Sequence, residues 1–312
     1  MKYATALIAI LIVTFAASAQ NTNNNYIPKN GRENIGSPVA GSTAVPATTV
    51  VSAAATYNAA GIKKHLEEKN YAEATALFRE AVKSDPTCDM CFYNLGRSLL
   101  DEGKTDEAVG VFNDLIARAP AFANGYAGLG DALTKKGAFE ESVSAYQKAA
   151  ELAPNDDIVL ANLGNSLFQV QRYKESLAAL DRAVKLNPRS ALAQSNRGTA
   201  LFALGRYKES VATLQKAVEL QPDLPESLNN LGVALGAVGK HKEAHSKFLE
   251  ATRMRPDWAE AKYNLTLSYL ELGDRDDARQ QLFTLDRLDL GLAEKARKIL
   301  NAKFVIDASG LK

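Results

Sequence analysis

The chain has 312 residues, 46% of them apolar and 23% charged, with a formal net charge of +1 at pH 7. That composition describes a foldable chain and excludes one that is disordered or membrane-embedded in general character. A near-neutral balance without any run of Lys or Arg also excludes the electrostatic footprint of a nucleic-acid binder.

The first element is MKYATALIAILIVTFAASAQ. Lys2 gives it a positive start, residues 4–16 an apolar run too short for a membrane span, and Ala17-Ser18-Ala19 a small-x-small cleavage site. Residues 1–19 therefore read as a cleavable signal peptide cut after Ala19, which predicts a secreted or periplasmic protein with no integral membrane segment in its mature form. Residues 20–55 are rich in Asn, Ser, Thr, Gly and Pro and show no amphipathic period. Such a segment cannot bury enough apolar surface to offset its ordering entropy, and it is expected to be a flexible linker.

From residue 55 onward the sequence repeats. Pro86, Pro120, Pro154, Pro188, Pro222 and Pro256 follow one another at intervals of thirty-four, and Gly96, Gly130, Gly164, Gly198 and Gly232 each lie ten residues after a proline. A fixed period of this length marks a stacked array of supersecondary units. Units begin near 55, 89, 123, 157, 191, 225 and 259, and positions are numbered from those residues. In the second unit Phe92, Leu95, Gly96 and Leu99 fall at positions 4, 7, 8 and 11, one apolar stripe of a helix. Gly103 breaks that helix at position 15. A second helix carries Ala108, Phe112 and Leu115 until Pro120 stops it, since proline pushes its predecessor out of helical geometry. Each unit is a helical hairpin, with Ala or Ser at position 20 and Gly at position 8, replaced by Ile62 in the first unit and Thr266 in the last, letting its two helices approach closely.

The pattern x-L-G-x-x-L, then G-x-aromatic, then small, aromatic, Ala and Pro resembles the tetratricopeptide repeat family over about three quarters of the chain. The resemblance implies an all-α, right-handed α-solenoid of about seven hairpins over 55–290. Residues 291–303 are expected to form a capping helix over the open end. No reading emerges for the tail at 304–312.

The face left over after core packing carries positions 2, 6, 9 and 13 of each first helix. Position 6 holds Asn94, Asn162, Asn196, Asn230 and Asn264, a residue that weakens a helix interior by up to about 0.7 kcal/mol. A primary amide both donates and accepts, so a row of them can pair with the peptide groups of an extended ligand. In the family this face lines a concave groove, and the row resembles the asparagine ladder of O-GlcNAc transferase repeats, where it grips peptide backbone. Asn94, Arg97, Asp131, Asn162, Asn165, Gln169, Asn196, Thr199, Asn230 and Asn264 are accordingly the candidate peptide-binding residues. Descent of all units from one ancestral repeat explains a shared asparagine without any ligand.

Other constellations carry less. Cys88 and Cys91 form the sole cysteine pair, readable as a local disulfide or as a redox pair. His241 and His245 are spaced as metal ligands but have no third partner in register, and His241 at position 17 replaces an aromatic, so both are expected to pack. No phosphate loop and no recognisable nucleophile, base and orienting group are found. The expected function is a non-catalytic scaffold for a protein or peptide partner, without metal or cofactor. The alternatives are an exported redox protein using Cys88 and Cys91, and a glycan or cell-wall binding module using the amides with Phe168 or Phe202.

Overall fold

The computed structural model describes residues 52–309, with side chains from Ser52 to Ala302. The expected signal peptide and nearly all of the expected linker lie outside the described residues. Those described form fifteen helices and no strand. They pair as α1 (Ala53–Leu66) with α2 (Tyr71–Ser84), α3 (Asp89–Asp101) with α4 (Thr105–Arg118), and α5 (Ala123–Lys136) with α6 (Phe139–Leu152). There follow α7 (Asp157–Gln169) with α8 (Tyr173–Leu186), α9 (Ala191–Ala203) with α10 (Tyr207–Leu220), and α11 (Pro225–Ala237) with α12 (His241–Met254). The seventh pair is α13 (Ala259–Leu272) with α14 (Arg275–Leu288), and α15 (Leu290–Ser309) packs on both of its helices. Two compact units divide the described chain at Ser166/Leu167, within α7. Each is described by itself below.

Local chemistry sets the ends of the helices. Asn70 accepts from Glu73 N–H at 3.2 Å while its amide donates to the Glu73 carboxylate, a reciprocal cap that starts α2. Ser52, Ser190 and Asp274 cap α1, α9 and α14 from one side, each side chain accepting from a backbone N–H of the first turn. Residues ahead of the periodic prolines, such as Asp85 at ψ 91°, leave the helical region. The turn inside every hairpin needs a left-handed residue at position 15. Glycine supplies it in five hairpins, from Gly103 to Gly273, whereas Lys69 and Gln171 adopt φ 51° and 62° themselves.

In the unit covering 52–166 the core runs through Phe78, Tyr93, Leu99, Phe112 and Leu115. The position-8 glycine makes room for the side chain at position 24 of its own hairpin. A Cβ on Gly96 would lie 2.5 Å from Phe112 Cζ, and one on Gly130 would lie 2.8 Å from Tyr146 Cζ. The first hairpin performs the same packing one residue early, because Gly61, at position 7, lies under Phe78 with a Cβ distance of 2.7 Å. Position 20 is fully buried in Ala74, Ala108 and Ser142, and the Ser142 hydroxyl donates to Gly130 C=O at 3.1 Å. That bond ties the two helices at their closest approach.

In the unit covering 167–309 the same contacts recur, with a Cβ on Gly198 2.5 Å from Leu214 Cγ and Ser210 donating to Gly198 C=O at 2.7 Å. Its apolar core includes a cluster around Phe202, Leu231 and Phe248 and another around Tyr263, Leu267 and Leu285. Ala293 and Ala296 of α15 complete the second cluster and close the array. Asp289 caps this helix by accepting from Leu292 N–H at 2.9 Å, so α15 opens at Leu290, where proline falls in earlier units, and continues to Ser309.

Position 12 carries a ring in two hairpins of this unit. Phe168 packs on Tyr173 with centroids 5.1 Å apart, and Phe202 on Tyr207 at 5.0 Å. In the next hairpin the pair becomes Gly236 and His241. No ring is there to meet the imidazole, so His241 is exposed and does not pack as its register predicts. A cavity of about 30 Å³ remains beside Gly236, with Asn264, Phe248 and Ser268 in its wall. His245, one turn on, is the histidine that packs, edge-on to Tyr269 at 4.5 Å and hydrogen-bonded to Ser268 Oγ at 2.9 Å.

Candidate functional site

The position-6 asparagines sit on first helices, facing the hairpin before them. In the unit covering 52–166, Asn94 Nδ2 donates to Asn58 Oδ1 at 2.9 Å and Asn162 Nδ2 to Asp131 Oδ1 at 3.3 Å. In the unit covering 167–309, Asn230 Nδ2 donates to Thr199 Oγ1 at 3.3 Å and Asn264 Nδ2 to Asn229 Oδ1 at 2.9 Å. Four of the five amides are thus inter-hairpin ties. Each tie spans thirty-one to thirty-six residues of sequence.

This geometry changes the sequence-based site. Asn264 is 1% exposed and Asn230 6%, and Thr199, at 5%, also donates to Ser195 C=O at 3.0 Å. Burial removes Asn264 from the surface a ligand touches and leaves Asn230 and Thr199 little area there. Asn162, also 6% exposed, is held by Asp131. Asn94, Arg97, Asn165, Gln169 and Asn196 are half-buried and keep part of their surface toward solvent. Gln169 has a buried Nε2 with no hydrogen-bond partner among the described residues. Phe168 and Phe202, 7% and 1% exposed, face their tyrosines and offer no stacking platform.

Asp131 is the hub of the first unit. It accepts from Arg97 Nη1 at 2.7 Å on one oxygen, and from the Tyr146 hydroxyl and Asn162 on the other. Burial pushes its carboxyl above the ordinary value, against the opposing Arg97 charge and the Tyr146 hydroxyl. The same burial, reinforced by Asp131, raises the Tyr146 phenol. Desolvation is the largest influence on Arg97 and opposes its charge, but Asp131 acting together with Tyr93, Asp101 and Tyr146 more than offsets it and raises its pKa. Beside this hub, Asp101 meets His65 Nε2 at 3.1 Å, and Lys135 Nζ donates to Leu100 C=O. Sequence reasoning found Arg97 and Asp131 but missed Tyr146, Asn58 and Asn229. The recurring polar residue at position 9, thirty-one residues ahead of the next asparagine, is the signal that points to the Asp131 and Thr199 ties.

Cys88 and Cys91 are joined in a disulfide across the first turn of α3, with Cα atoms 5.3 Å apart. Cys91 is 1% exposed, and Cys88 is the residue that caps the helix. Among the described residues no group of three or more His, Cys, Asp or Glu side chains could hold a metal ion, and no helix is long and apolar enough to cross a membrane.

Helical hairpins of one length, most of them wedging a position-24 side chain over a glycine of the first helix, define a stacked repeat protein. Family models described as tetratricopeptide repeat match residues 93–157 and 162–225, 213–246 and 259–282. The chain belongs to the tetratricopeptide-repeat family. Among solved structures, a chain of the APC/C hetero-tetramer Cut9-Hcn1 is similar with TM-score 0.66 at 17% identity, over 80% of this chain and 53% of that one. The pilF protein of Pseudomonas aeruginosa matches with TM-score 0.60 at 19% identity, over 69% of this chain and 98% of that one. A tetratricopeptide repeat protein from Parabacteroides merdae ATCC 43184 matches with TM-score 0.60 at 15% identity, over 78% and 99%. At these identities the likeness is one of fold. No curated protein matches the chain.

Proposed function

We propose that the chain is a non-catalytic interaction scaffold that holds an extended peptide or protein segment against the polar faces of its first helices. The reading rests on family membership together with one observation. Gln169 keeps a buried amide nitrogen without a partner among the described residues on this first-helix face. A buried unpaired donor costs about 1–3 kcal/mol, a cost that a ligand carbonyl relieves on binding. Asn196, half-buried, is the further amide proposed for contact, while Asn230 and Asn264 serve the stack.

Peptide-array binding tests the reading. Gln169→Ala with Asn196→Ala is expected to weaken the selected peptide about tenfold or more, at roughly 1 kcal/mol per lost bond. Asn264→Ala should leave peptide affinity unchanged while lowering stability by about 1–3 kcal/mol, since Asn229 Oδ1 then loses its donor inside the protein. Unaltered binding in the double variant removes the face as the site. Export follows from the leader-like N-terminus as part of the same proposal. N-terminal sequencing of the protein from its host should begin at Gln20, and a chain retaining Met1 refutes it.

A further inference from the structure

The fifth hairpin departs from the repeat where its neighbours are apolar. Position 7 is leucine in five of the other six hairpins, Leu95, Leu129, Leu163, Leu231 and Leu265, yet here it is Arg197, and position 4 is Gln194. A charged side chain in a helix-packing seam is costly unless it is paired, and long cationic side chains are almost never fully buried. The structure pairs it on two sides only. Arg197 Nε donates to Asp181 Oδ1 at 2.6 Å, and Nη1 donates to Thr213 Oγ1 at 3.0 Å.

Around this guanidinium the packing of α8, α9 and α10 opens into a cavity of about 400 Å³. Asp181, Lys185, Gln194, Arg197, Thr213 and Lys216 line it. Three cations face one carboxylate, and that carboxylate is already bonded to Arg197. The wall is built and not merely a patch of surface lysines. Gln194 is 2% exposed and fixed by donating to Pro188 C=O at 3.2 Å, and Thr213 is 7% exposed and held by Arg197. Accepting from Arg197 leaves the hydrogen of the Thr213 hydroxyl directed elsewhere, beside the unfilled donors of the guanidinium.

We propose that this cavity is a docking site for an acidic peptide segment, with a carboxylate side chain of the partner seated against Arg197 and Thr213 and further carboxylates meeting Lys185 and Lys216. Guanidinium groups match carboxylates in planar geometry, while lysines act as adaptable point charges. The depression is open to solvent, as a peptide lying along a surface requires, and the cations come from three separate helices. A chain of acidic residues offers one carboxylate to each of the three cations, where a single small anion offers one charge. The site is separate from the first-helix face proposed above, and goes beyond that reading.

Fluorescence anisotropy of labelled hexaglutamate, titrated with the full chain at low ionic strength, tests the proposal, because exposed charges are least screened there. The wild type is expected to bind. Lys185→Gln with Lys216→Gln, both exposed and harmless to folding, should weaken it about fivefold or more, the size of two lost surface pairs. Arg197→Gln should weaken it as well, and in ¹⁵N spectra of the wild type the peptide should move the Arg197 Nε–Hε signal. The Gln169→Ala, Asn196→Ala double variant should bind hexaglutamate like the wild type, which separates this site from the peptide-binding face. Absence of binding, or equal affinity in the double lysine variant, overturns the proposal. So does displacement of the peptide by inorganic phosphate at constant ionic strength, or equal affinity for phosphatidylglycerol vesicles, since either shows that the cavity reads charge alone.

Discussion

Asp131 and Arg97 form an ion pair whose side chains are only 11% and 12% exposed. Breaking such a pair by removing one partner strands the other charge, which typically costs about 3–5 kcal/mol. Arg97→Ala should therefore lower the urea midpoint of the full chain by that equivalent, and a loss near that of an exposed pair would show that water already reaches Asp131. His245 gives the residue-scale pH dependence. Burial holds its imidazole below the ordinary value of 6.5, against the pull of Asp274 and Asp277. The folded state thus favours the neutral ring. Stability is complete above about pH 6.5 and falls as pH drops from there toward the lower folded value, because the unfolded chain takes up the proton first. Thermal melts between pH 8 and 5 should show this decline in the wild type and a smaller one in His245→Gln. These partners were hidden from the sequence for a physical reason. An asparagine at position 6 announces a polar contact, but its acceptor lies at position 4, 5 or 9 of another hairpin, and nothing in a single chain's register selects among them.

Within one hairpin, the decisive contact is a bulky side chain over a glycine. Phe112 is fully buried beneath Gly96 and Gly128, whose added Cβ atoms would lie 2.5 and 2.3 Å from its ring. Gly96→Ala should destabilise by about 1–3 kcal/mol through overpacking, and adding Phe112→Leu should recover part of that loss. Equal stability of Gly96→Ala and wild type in chemical denaturation would mean that the ring has room to tilt. This level was the most legible in the sequence. Glycine, small residue and proline recur at fixed positions because the same three steric demands recur in each hairpin. The exceptions mark where local context replaces a demand. Gly61 provides the space one residue early, and Gln171 adopts the left-handed turn that glycine elsewhere makes easy. His241 shows the converse, since register assigns it to packing while the ring it requires is missing from Gly236.

For the whole array, stability is close to a sum over hairpins and their nearest-neighbour interfaces. Helix α15 shields the last interface by placing Ala293 and Ala296 against Tyr263, Leu270 and Leu285. The Tyr263 hydroxyl is buried without a partner, and burial pushes its phenol up to about 12. Deleting residues 290–312 should uncover that cluster, and hydrogen exchange should accelerate in α13 and α14 while α9 and α10 keep their protection. Uniform acceleration across every hairpin would instead indicate one cooperative block. The cap's existence was readable from its amphipathic stripe, but its length was not: the stripe read from the sequence stops near Lys303, whereas the helix runs on to Ser309, with Gly310 next in sequence.

Near-identical hairpins are hard to tell apart spectroscopically, and here Gly236 supplies a distinguishing mark. A Cβ added there meets no atom within 4 Å, so the gap left in the sixth hairpin takes the first carbon of a side chain without displacing anything. A fluorinated phenylalanine installed at that one residue would restore the missing ring and act as a reporter, giving a resonance that belongs to a single rung of an otherwise monotonous ladder.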